Sequence, residues 1–395
     1  MRGRLVQRTW ESDPALHAPP RYRRACAYEA FVPDPLAGLE LALPGAVAAV
    51  VSDAEAAIAA LNKEARPELA PFARLLLRTE SIASSKVEGL QVATRGLARA
   101  EAQEATGRRI GSEAAEVIGN IDAMQFAIEE AAAMAVTLDT FVEIHRTLMR
   151  RAPNAAIAGK VRTSQGWIGG NDYNPCGADF VPPPEGELEG LLLDLAAFCD
   201  REELPPLVQA AIAHAQFETI HPFADGNGRT GRAITHVVLR RRRLAPSFVP
   251  PISVVFASSK ATYIRGLEIF RDDALPEWIE SFAVAAAQAA SLASSYLDRV
   301  RELQEEWREQ LRASSNPRAD AAAWALIDAL PAHPVITVPV GVAATARSKP
   351  AVTNGIAALE GAGVLAALGT SQRNRAWEAD RLLNLIEQME ANELP

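Results

Sequence analysis

The chain has 395 residues, of which 49% are hydrophobic, so it is long enough for two or three domains and for a large buried core. Its formal net charge of -9 argues against a surface built throughout to bind nucleic acid, because such surfaces neutralise phosphates with clustered Lys and Arg. Alanine-rich stretches with few runs of β-branched residues favour helix over strand, so we expect a mainly α protein.

The N-terminal stretch and the most apolar stretch lack the features of targeting or membrane segments. No apolar run follows the arginines of MRGRLVQRTW, so we expect no secretion signal. The most apolar long stretch, residues 36–61, is interrupted by Glu40 and Asp53, which argues against a membrane span. We therefore expect a cytoplasmic protein with no membrane partner.

Three cysteines, Cys26, Cys176 and Cys199, are spread along the chain. They lack the paired spacing of a zinc site or of a disulfide framework. We expect all three to be ordinary reduced cysteines.

The N-terminal third of the chain predicts helices behind a proline-rich segment. Residues 1–45 predict an extended segment that wraps over a helical body. Apolar residues spaced three and four apart then predict helices over 46–62, 70–90 and 137–149. We expect His145, in the last of these helices, to serve packing rather than catalysis.

The middle of the chain changes character once and then returns to helix. Gly-Gly, Asn-Asp and Asn-Pro pairs in residues 156–184 predict a short hairpin followed by an exposed loop. Apolar periodicity predicts further helices over 185–200, 205–220 and 232–242. We expect His214, in the second of these helices, to be structural.

The C-terminal part predicts a separate module after a Ser-Ser-Asn-Pro break near residues 311–320. A helix, a helix-turn-helix and a two-stranded wing over 369–380 suggest a winged helix, which often binds DNA. Residues 316–395 contain six basic and eight acidic side chains, so we favour protein docking or dimerisation over DNA binding. The predicted domains are an N-terminal helical region (1–120), a core (121–312) and a winged-helix domain (313–395).

One stretch, HPFADGNGRTGR (221–232), combines residue types that suit phosphate chemistry. A Gly-Asn-Gly turn that leads into a helix directs backbone N–H groups outward at the positive end of the helix dipole, where they can hold phosphate. Gly226 and Gly228 let an anion approach the backbone closely. Arg229 and Arg232 lie three residues apart on one helix face, an arrangement that suits a polyphosphate.

Two further residues of this stretch suit group transfer. Asp225 precedes the turn, and a carboxylate beside phosphate oxygens is the usual way in which Mg²⁺ is held. His221 ends the preceding helix, where a neutral imidazole could accept a proton from an incoming hydroxyl. A plain interhelical turn is the structural alternative, and the fixed spacing of the His, the Asp and both arginines argues against it.

The same stretch resembles the motif of the Fic family, His-x-Phe-x-(Asp/Glu)-Gly-Asn-Gly-Arg-x-x-Arg, at every specified position. The resemblance implies a helical core that transfers AMP from ATP to a hydroxyl (Ser, Thr or Tyr) of a target protein, with release of pyrophosphate. It implies that His221 deprotonates the hydroxyl, that Asp225 holds Mg²⁺ and that Phe223 anchors the loop. It implies phosphate binding by Gly226, Asn227, Gly228, Arg229 and Arg232. Doc-type kinases resemble this motif but have lysine at the position of Gly228, so nucleotidyl transfer is favoured over phosphorylation.

The upstream stretch SSKVEG (84–89) is similar to the inhibitory motif of Fic proteins, (Ser/Thr)-x-x-x-Glu-(Gly/Asn), through Ser84, Glu88 and Gly89. The resemblance implies that Glu88 pairs with Arg232 and displaces the γ-phosphate into an unproductive pose. Because this element lies in the same chain, no separate antitoxin is required. In some relatives the same glutamate helps to remove AMP, so de-AMPylation stays open.

Two more resemblances concern substrate binding. Residues 163–170 resemble the Fic flap, a strand that holds the target by main-chain pairing. Tyr263 lies where relatives have a tyrosine near the adenine pocket. The predicted target-docking residues are Gln165, Gly166, Trp167 and Ile168, of which the last two could equally belong to the core.

Two functions of different classes follow from these patterns. The first is a protein adenylyltransferase that uses ATP and Mg²⁺ and is inhibited through Glu88. The second is a winged-helix DNA-binding regulator whose Fic core senses nucleotides, and the intact His221 argues against it. Transfer of UMP or of another group, modification of the chain itself, and homo-oligomerisation all stay open.

Overall fold

The computed structural model describes residues 3–15, 17–63, 69–368 and 375–393. Within these ranges the chain forms fifteen α-helices and two small antiparallel sheets, which confirms the mainly α class. The first helices are α1 (Gly45–Lys63), α2 (Ala70–Val87), α3 (Thr94–Glu104), α4 (Ser112–Glu129) and α5 (Leu138–Met149). The middle helices are α6 (Leu188–Cys199), α7 (Pro206–Ile220), α8 (Asn227–Arg241), α9 (Ile252–Ser258), α10 (Lys260–Arg271) and α11 (Leu275–Ser314). The last are α12 (Ala322–Ala329), α13 (Val338–Thr345), α14 (Lys349–Gly361) and α15 (Asp380–Glu390).

Helices α2, α7 and α8 form the centre of the helical body. All residues of α7 after Pro206 are buried, as are residues 227–239 of α8. Helix α2 packs against α4, α8 and α9, and its residues 75–85 are all buried. This packing places the end of α2, which carries the predicted inhibitory motif, beside the start of α8, which carries the predicted phosphate site.

Helix α1 is long and apolar enough to cross a membrane by length and composition alone, with a mean hydropathy of 1.3 over its best window. It packs along α11, and 33% of that window is buried in the protein. Its residues Val51, Ala54 and Ile58 belong to the main core. A long apolar helix that lies on a core passes the same test of composition, so the absence of a membrane partner stays a prediction.

The first 45 residues contain a β-hairpin, so the prediction of a merely extended segment is wrong. Strands β1 (Gly3–Trp10) and β2 (Cys26–Pro33) pair antiparallel along their whole length. Tyr28 and Ala30 on β2 pack on Val181 in a small satellite core. The sequence hid this hairpin because a proline-containing connection replaces the short turn that normally marks one.

Cys26 and Cys176 form a disulfide, so the prediction of reduced cysteines is wrong for this pair. Their Cα atoms lie 6.3 Å apart, within the range that a disulfide spans. The bond joins the start of β2 to the loop that follows the predicted flap. Sequence spacing did not reveal it because 150 residues separate the two cysteines and only the fold brings them together.

The C-terminal elements follow the order predicted for a winged helix. Strands β3 (Val335–Thr337), β4 (Ala366–Leu368) and β5 (Ala376–Glu378) form one antiparallel sheet in the order β3-β5-β4. Strand β3 and the final helix α15 were not predicted. The tip of the predicted wing, residues 369–374, lies outside the described residues, and so does the stretch 64–68. The identification as a winged helix stays a prediction.

The predicted domain boundaries fall within helices. The boundary after residue 120 lies inside α4, and the boundary after residue 312 lies near the end of α11. The chain leaves α11 at Ser314, close to the predicted linker. The division into three domains stays a prediction, and the N-terminal region shares α4 with the core.

We expect the disulfide to be detectable by counting thiols. The third cysteine, Cys199, is free and buried, and burial raises its pKa to about 12. Protein purified without reductant and then denatured should react with Ellman's reagent at Cys199 alone, and a non-reducing peptide map should show Cys26 linked to Cys176. Reduction should bring all three thiols into reaction. Full reaction without reductant would contradict the disulfide.

Candidate active site

His221 stands at the sharp turn that ends α7. It adopts a left-handed backbone conformation with φ 48° and ψ 58°, which non-glycine residues rarely do. Its backbone N–H donates to the Phe217 carbonyl, and its own carbonyl accepts from Arg162 Nε at 2.9 Å. Burial, with a smaller contribution from the Arg162 charge, lowers the pKa of His221 to about 4. The imidazole is therefore neutral at pH 7 and able to accept a proton.

The loop after His221 is closed by an asparagine and a stacked histidine. The Asn227 side chain accepts from the Phe223 N–H at 2.9 Å and donates to the Phe223 carbonyl at 2.8 Å. The Phe223 ring stacks on His145 with ring centroids 3.7 Å apart. Phe223 thus anchors the loop as predicted from the family motif, and the side chain of Asn227 holds the loop, so only its backbone could cradle phosphate.

His145 is a neutral structural residue, as predicted. Its Nδ1 accepts from the Gly159 N–H at 3.0 Å, so the proton is on Nε2, which lies 3.0 Å from the Asp225 carbonyl oxygen. Burial lowers the pKa of His145 to about 4. A neutral ring that bridges two backbone groups fixes the loop at its acidic residue.

The Gly-Asn-Gly turn forms the N-terminal end of α8. Gly226 occupies the N-cap position with φ 77°, and a Cβ there would lie 3.1 Å from both Leu148 and Met149 side-chain atoms. A Cβ at Gly228 would overlap the carboxylate oxygen Oε1 of Glu88. A negatively charged group therefore lies directly on the predicted anion cradle, and it comes from α2.

The carboxylate of Glu88 is held there by Arg232. Arg232 NH2 donates to Glu88 Oε1 at 2.7 Å and to the Ser84 carbonyl at 2.8 Å, while Nε donates to Ser84 Oγ at 2.9 Å. Burial is the largest influence and by itself would raise the pKa of Glu88, but the charge and hydrogen bond of Arg232, with the charges of Arg229 and Lys260, together lower it. Burial likewise opposes the charge of Arg232, whose pKa is nevertheless raised because of Glu88. The predicted pairing of Glu88 with Arg232 is present in the structure.

Gly89 has a structural reason for its place in the motif. It follows the C-cap residue Glu88 with φ 90°, its N–H donates to the Lys86 carbonyl, and the Leu90 N–H donates to the Ser85 carbonyl. This is the hydrogen-bond pattern that ends a helix at a left-handed glycine. Gly89 therefore ends the helix directly after Glu88, which is the C-cap residue of α2.

A buried carboxylate one turn before Ser84 fixes α2 to its neighbours. Glu80 accepts from the Ser253 N–H at 2.8 Å and from Ser253 Oγ at 2.5 Å, and its Oε1 lies 3.1 Å from His236 Nε2. His236 belongs to α8 and Ser253 to α9. The body of α2 is thus tied to both elements independently of Glu88.

Arg229 and Asp225 lie at the edge of the cradle. The Arg229 side chain is 4% exposed and lies 3.7 Å from Glu116 Oε2 and 3.6 Å from Asp225 Oδ1. Among the described residues, the buried Nε and NH1 of Arg229 have no hydrogen-bond acceptor. Asp225 has a 60% exposed side chain and accepts from the Gly226 N–H at 2.6 Å. Unused guanidinium donors beside an exposed carboxylate suit a phosphate and a metal ion.

The predicted flap is held to the motif loop by Arg162. Its guanidinium donates to the carbonyls of His221, Ser164 and Pro183 at 2.9, 2.9 and 2.6 Å. Burial lowers the pKa of Arg162 to about 10, so it stays charged. Gln165 is buried too and donates to the Pro182 carbonyl at 2.8 Å. The side chain of Gln165 therefore secures the base of the flap, and the docking role, which the resemblance assigns to the main chain, stays a prediction.

The tip of the flap is short. Within the described flap, Ile168 pairs with Phe180 in an isolated antiparallel β-bridge. The residue is 37% exposed. Trp167 is half-buried, donates to the Asn171 carbonyl at 2.7 Å and packs edge-on against Trp10 of β1. Gly166 is also half-buried. Of the four predicted docking residues, Ile168 is the exposed one.

Tyr263 lies behind Arg232. Its hydroxyl is 2.9 Å from His214 Nε2 and 3.4 Å from Arg232 NH1, and its ring stacks on Phe256. Burial lowers the pKa of His214 to about 3, so this histidine is neutral and structural, as predicted. The same ring of Tyr263 lines a cleft of about 430 Å³ with Phe256 and Trp278. The structure brings Tyr263 to the site through Arg232, and its adenine contact stays a prediction.

Two family models match this chain. The model of the Fic/DOC family matches residues 135–239, and the model of the Fic/DOC family N-terminal region matches residues 48–129. The first match contains the His221 motif, and the second contains Glu88.

The similarity to the Fic/DOC family thus covers two segments of the chain, residues 48–129 and 135–239.

Curated relatives with sequence similarity are Fic proteins as well. Protein adenylyltransferase fic-1 of Caenorhabditis elegans is 28% identical over 134 residues, which are 34% of this chain and 24% of that protein. Protein adenylyltransferase Fic of Nematostella vectensis is 33% identical over 117 residues, which are 29% of this chain and 25% of that protein. The chain therefore spans about a quarter of the length of these relatives.

Solved structures share the Fic fold. A Fic family protein from Desulfovibrio desulfuricans G20 has a TM-score of 0.52 at 21% identity, over 86% of this chain and 97% of that chain. Fic-1 of Caenorhabditis elegans has a TM-score of 0.51 at 22% identity, over 65% of this chain and 74% of that chain. At these identities the likeness concerns the fold.

Three residues of this Fic site were missed by the sequence analysis: Arg162, Glu80 and Glu218. Glu80 precedes Ser84 by four residues, so helical spacing could have placed it on the same face as the inhibitory motif. Burial raises the pKa of Glu218 to about 8, which keeps this carboxyl neutral at pH 7 beside Arg232. No sequence pattern marked Arg162 or Glu218.

We expect Asn227→Ala to destabilise the protein by about 2 kcal/mol, because it leaves a buried N–H and a buried carbonyl of Phe223 unpaired. Urea denaturation followed by circular dichroism measures the change. Asn154→Ala, at an exposed position, is the matched control and should have little effect. Equal stability of the two variants would refute the role of Asn227 in the loop.

Proposed function

We propose that this chain is a protein adenylyltransferase that moves AMP from ATP to a hydroxyl of a target protein. One observation carries the proposal: the Glu88 carboxylate lies on the Gly228 cradle and is bound by Arg232, so the site already holds an anion. A triphosphate offers the same kind of charge to the same donors. The names of the curated relatives support this reaction.

The proposed phosphate site has hydrogen-bond donors that the described part of the protein does not use. The free N–H groups at the start of α8, with the Arg232 guanidinium, would bind the phosphates. Arg229 adds two buried nitrogen atoms that lack an acceptor within the described chain. Donors that are already fixed by the surrounding helices need little reorganisation when charge develops in the transition state.

In the proposed reaction His221 acts as the base. It accepts the hydroxyl proton while the hydroxyl oxygen bonds to the α-phosphorus of ATP, and the bond to the bridging oxygen breaks so that pyrophosphate leaves. The carbonyl of His221 is fixed by Arg162, and its Nδ1 is buried with no partner among the described residues. The fixed backbone places the ring at the turn, and the lowered pKa of His221 keeps the ring neutral.

Asp225 would hold Mg²⁺. Its carboxylate is 60% exposed and lies beside the cradle, which is the arrangement that hard cations prefer next to phosphate. A bound Mg²⁺ neutralises charge on the phosphates during transfer. Asp225 itself is held in place by the Gly226 N–H and by His145 on its carbonyl.

We further propose that Glu88 inhibits the enzyme. Its carboxylate shares Arg232 and the space over Gly228 with the phosphates, so the two anions exclude each other. Removing Glu88 exposes a buried guanidinium that must find another anion. The inhibitor lies in the same chain, which supports a protein that needs no separate antitoxin.

We expect Glu88→Gly to raise AMP transfer by about tenfold or more. Without the carboxylate the Arg232 guanidinium is free to bind the triphosphate, and a gain of about 1.4 kcal/mol in binding free energy corresponds to tenfold. Labelling of protein from α-labelled ATP measures it. The control is Glu130→Gly, since Glu130 is also the C-cap glutamate of its helix, α4, but lies far from the motif in sequence and is exposed. Glu88→Gly protein that labels no better than wild type would refute the inhibitory role.

We expect His221→Ala to abolish transfer in the Glu88→Gly background, with His17→Ala, at an exposed position, as the control.

The pKa of about 4 puts His221 in its neutral form throughout the neutral range. Activity that needs the neutral ring is lost only as the pH falls towards 4, so the rate should stay level between pH 6 and 8. An acid limb with a midpoint near 6.5 would contradict the lowered pKa.

Several finer points remain proposals. The acceptor is a Ser, Thr or Tyr hydroxyl, on another protein or on the chain itself, and the exposed Ile168 of the flap would align the target backbone. Mass spectrometry of proteins incubated with the Glu88→Gly variant and either ATP or UTP separates AMP from UMP transfer. Loss of AMP from a labelled target would reveal the reverse reaction. The cytoplasmic location stays a prediction, and the Cys26–Cys176 disulfide argues against it, because disulfides are rare in that reducing compartment.

For the C-terminal module we propose protein docking or dimerisation rather than DNA binding. Helix α14, the second helix of the predicted helix-turn-helix, carries one basic residue, Lys349, along its length. Recognition helices need positive charge to neutralise phosphates. A gel shift with tight, sequence-selective DNA binding at physiological salt would favour the regulator instead.

A further inference from the structure

One buried carboxylate holds both ends of the segment that carries Glu88. Glu390 is the last residue of α15, and its side chain is 2% exposed. It forms an ion pair with Lys86, in the last turn of α2. It also accepts a hydrogen bond from Thr94 Oγ1 at 2.6 Å, at the first residue of α3. Glu88 lies between these two attachment points.

The neighbours of Glu390 stabilise its negative charge. A buried carboxylate is retained only where charged or hydrogen-bonding partners compensate its desolvation, and Lys86 and Thr94 do so. Helix α3 begins after Ala93, which has no polar side chain to cap it. The negative charge of Glu390 therefore lies near the positive end of the α3 dipole.

The same C-terminal module forms ion pairs with α3 at a second place. Arg95 NH1 lies 2.6 Å from Asp380 Oδ1, and Arg99 NH2 lies 2.9 Å from Glu378 Oε2. Glu378 belongs to β5 and Asp380 begins α15. The start of α3 is thus attached to the module by side chains on two successive turns.

The segment between the two attachments has left the regular helix, unlike the body of α2. The body of α2 is fixed by Glu80, whereas the helix ends at Val87 and the chain passes through Glu88 and Gly89 into the irregular residues 90–93. This segment borders a cleft of about 550 Å³ lined by Lys86, Val92 and Glu390, among others. There is room for the segment to move once its ends are released.

We propose that the C-terminal module sets the strength of autoinhibition, with Glu390 as the positioning residue that keeps Glu88 on Arg232. The proposal rests on the adenylyltransferase function proposed above. While Glu390 holds residues 86 and 94, few conformations of the segment are accessible, and the one observed places Glu88 over Gly228. Release of either end adds conformations in which Glu88 has left Arg232, and so shifts the population towards the active form.

The test compares Glu390→Gln with Glu306→Gln. Both substitutions remove one negative charge from a contact of α15, but Glu306 pairs with Arg381 and does not touch residues 86–94. We expect Glu390→Gln to raise labelling from α-labelled ATP roughly fivefold, at the lower end of coupling between sites, and to speed hydrogen–deuterium exchange in residues 86–94. Glu306→Gln should change neither. Equal behaviour of both variants would overturn the proposal.

A second comparison separates positioning from general stability. If Glu390 acts through Glu88, then Glu390→Gln should have no effect on labelling in a Glu88→Gly background. A merely structural role would alter the rate in both backgrounds and would overturn the proposal. Should Glu390→Gln fail to fold, Lys86→Met breaks the same ion pair from the α2 side and carries the same expectations.

Failure of the proposed function is distinguishable from failure of this inference. If Glu88→Gly gives no labelling, the adenylyltransferase proposal fails, and the exchange of residues 86–94 still reports whether Glu390 holds the segment. If Glu88→Gly labels strongly while Glu390→Gln matches wild type in labelling and exchange, the function stands and the role of Glu390 is refuted.

Discussion

The site depends on one constraint, which is that the buried guanidinium of Arg232 must have an anion beside it. Arg232 lies wholly inside the protein, where an unpaired charge would be strongly destabilising. In the structure Glu88 meets this need, together with the backbone and hydroxyl oxygens of Ser84. A triphosphate would meet it as well, so the proposed inhibition and the proposed nucleotide binding are two ways to satisfy the same charge.

Hydrogen bonds hold the motif loop and its histidines are neutral, so the choice of anion falls to the segment that carries Glu88. Asn227 and His145 fix the motif loop through hydrogen bonds to its backbone, and the lowered pKa of His145 keeps that ring uncharged. His221 is uncharged for the same reason of burial. Preorganised donors of this kind favour charge development without moving. What can move is the short connection after α2, which Glu390 holds at both ends.

Two distant parts of the chain reach the two functional edges of the core. The N-terminal hairpin is joined to the loop after the flap by the bond between Cys26 and Cys176, and Trp10 packs against Trp167. The C-terminal module reaches the inhibitory segment through Glu390. One partner of each contact lies within residues 48–129 or 135–239, which the family models match, and the other partner, in β1, β2 or α15, lies outside them.

The sequence alone determined the helical class, because apolar spacing and a lack of β-branched runs act locally. It also determined the site residues that lie close together along the chain, such as His221, Gly228 and Arg232, since a turn and one helix face fix their geometry. The pairing of Glu88 with Arg232 was accessible through a family motif, although 144 residues separate them. Tertiary structure decided the contacts that no local spacing encodes, because burial and long-range juxtaposition exist only once the chain has folded. Those contacts include the disulfide, the inward use of Gln165, the grip of Arg162 on the His221 turn and the hold of Glu390 on both ends of the inhibitory segment.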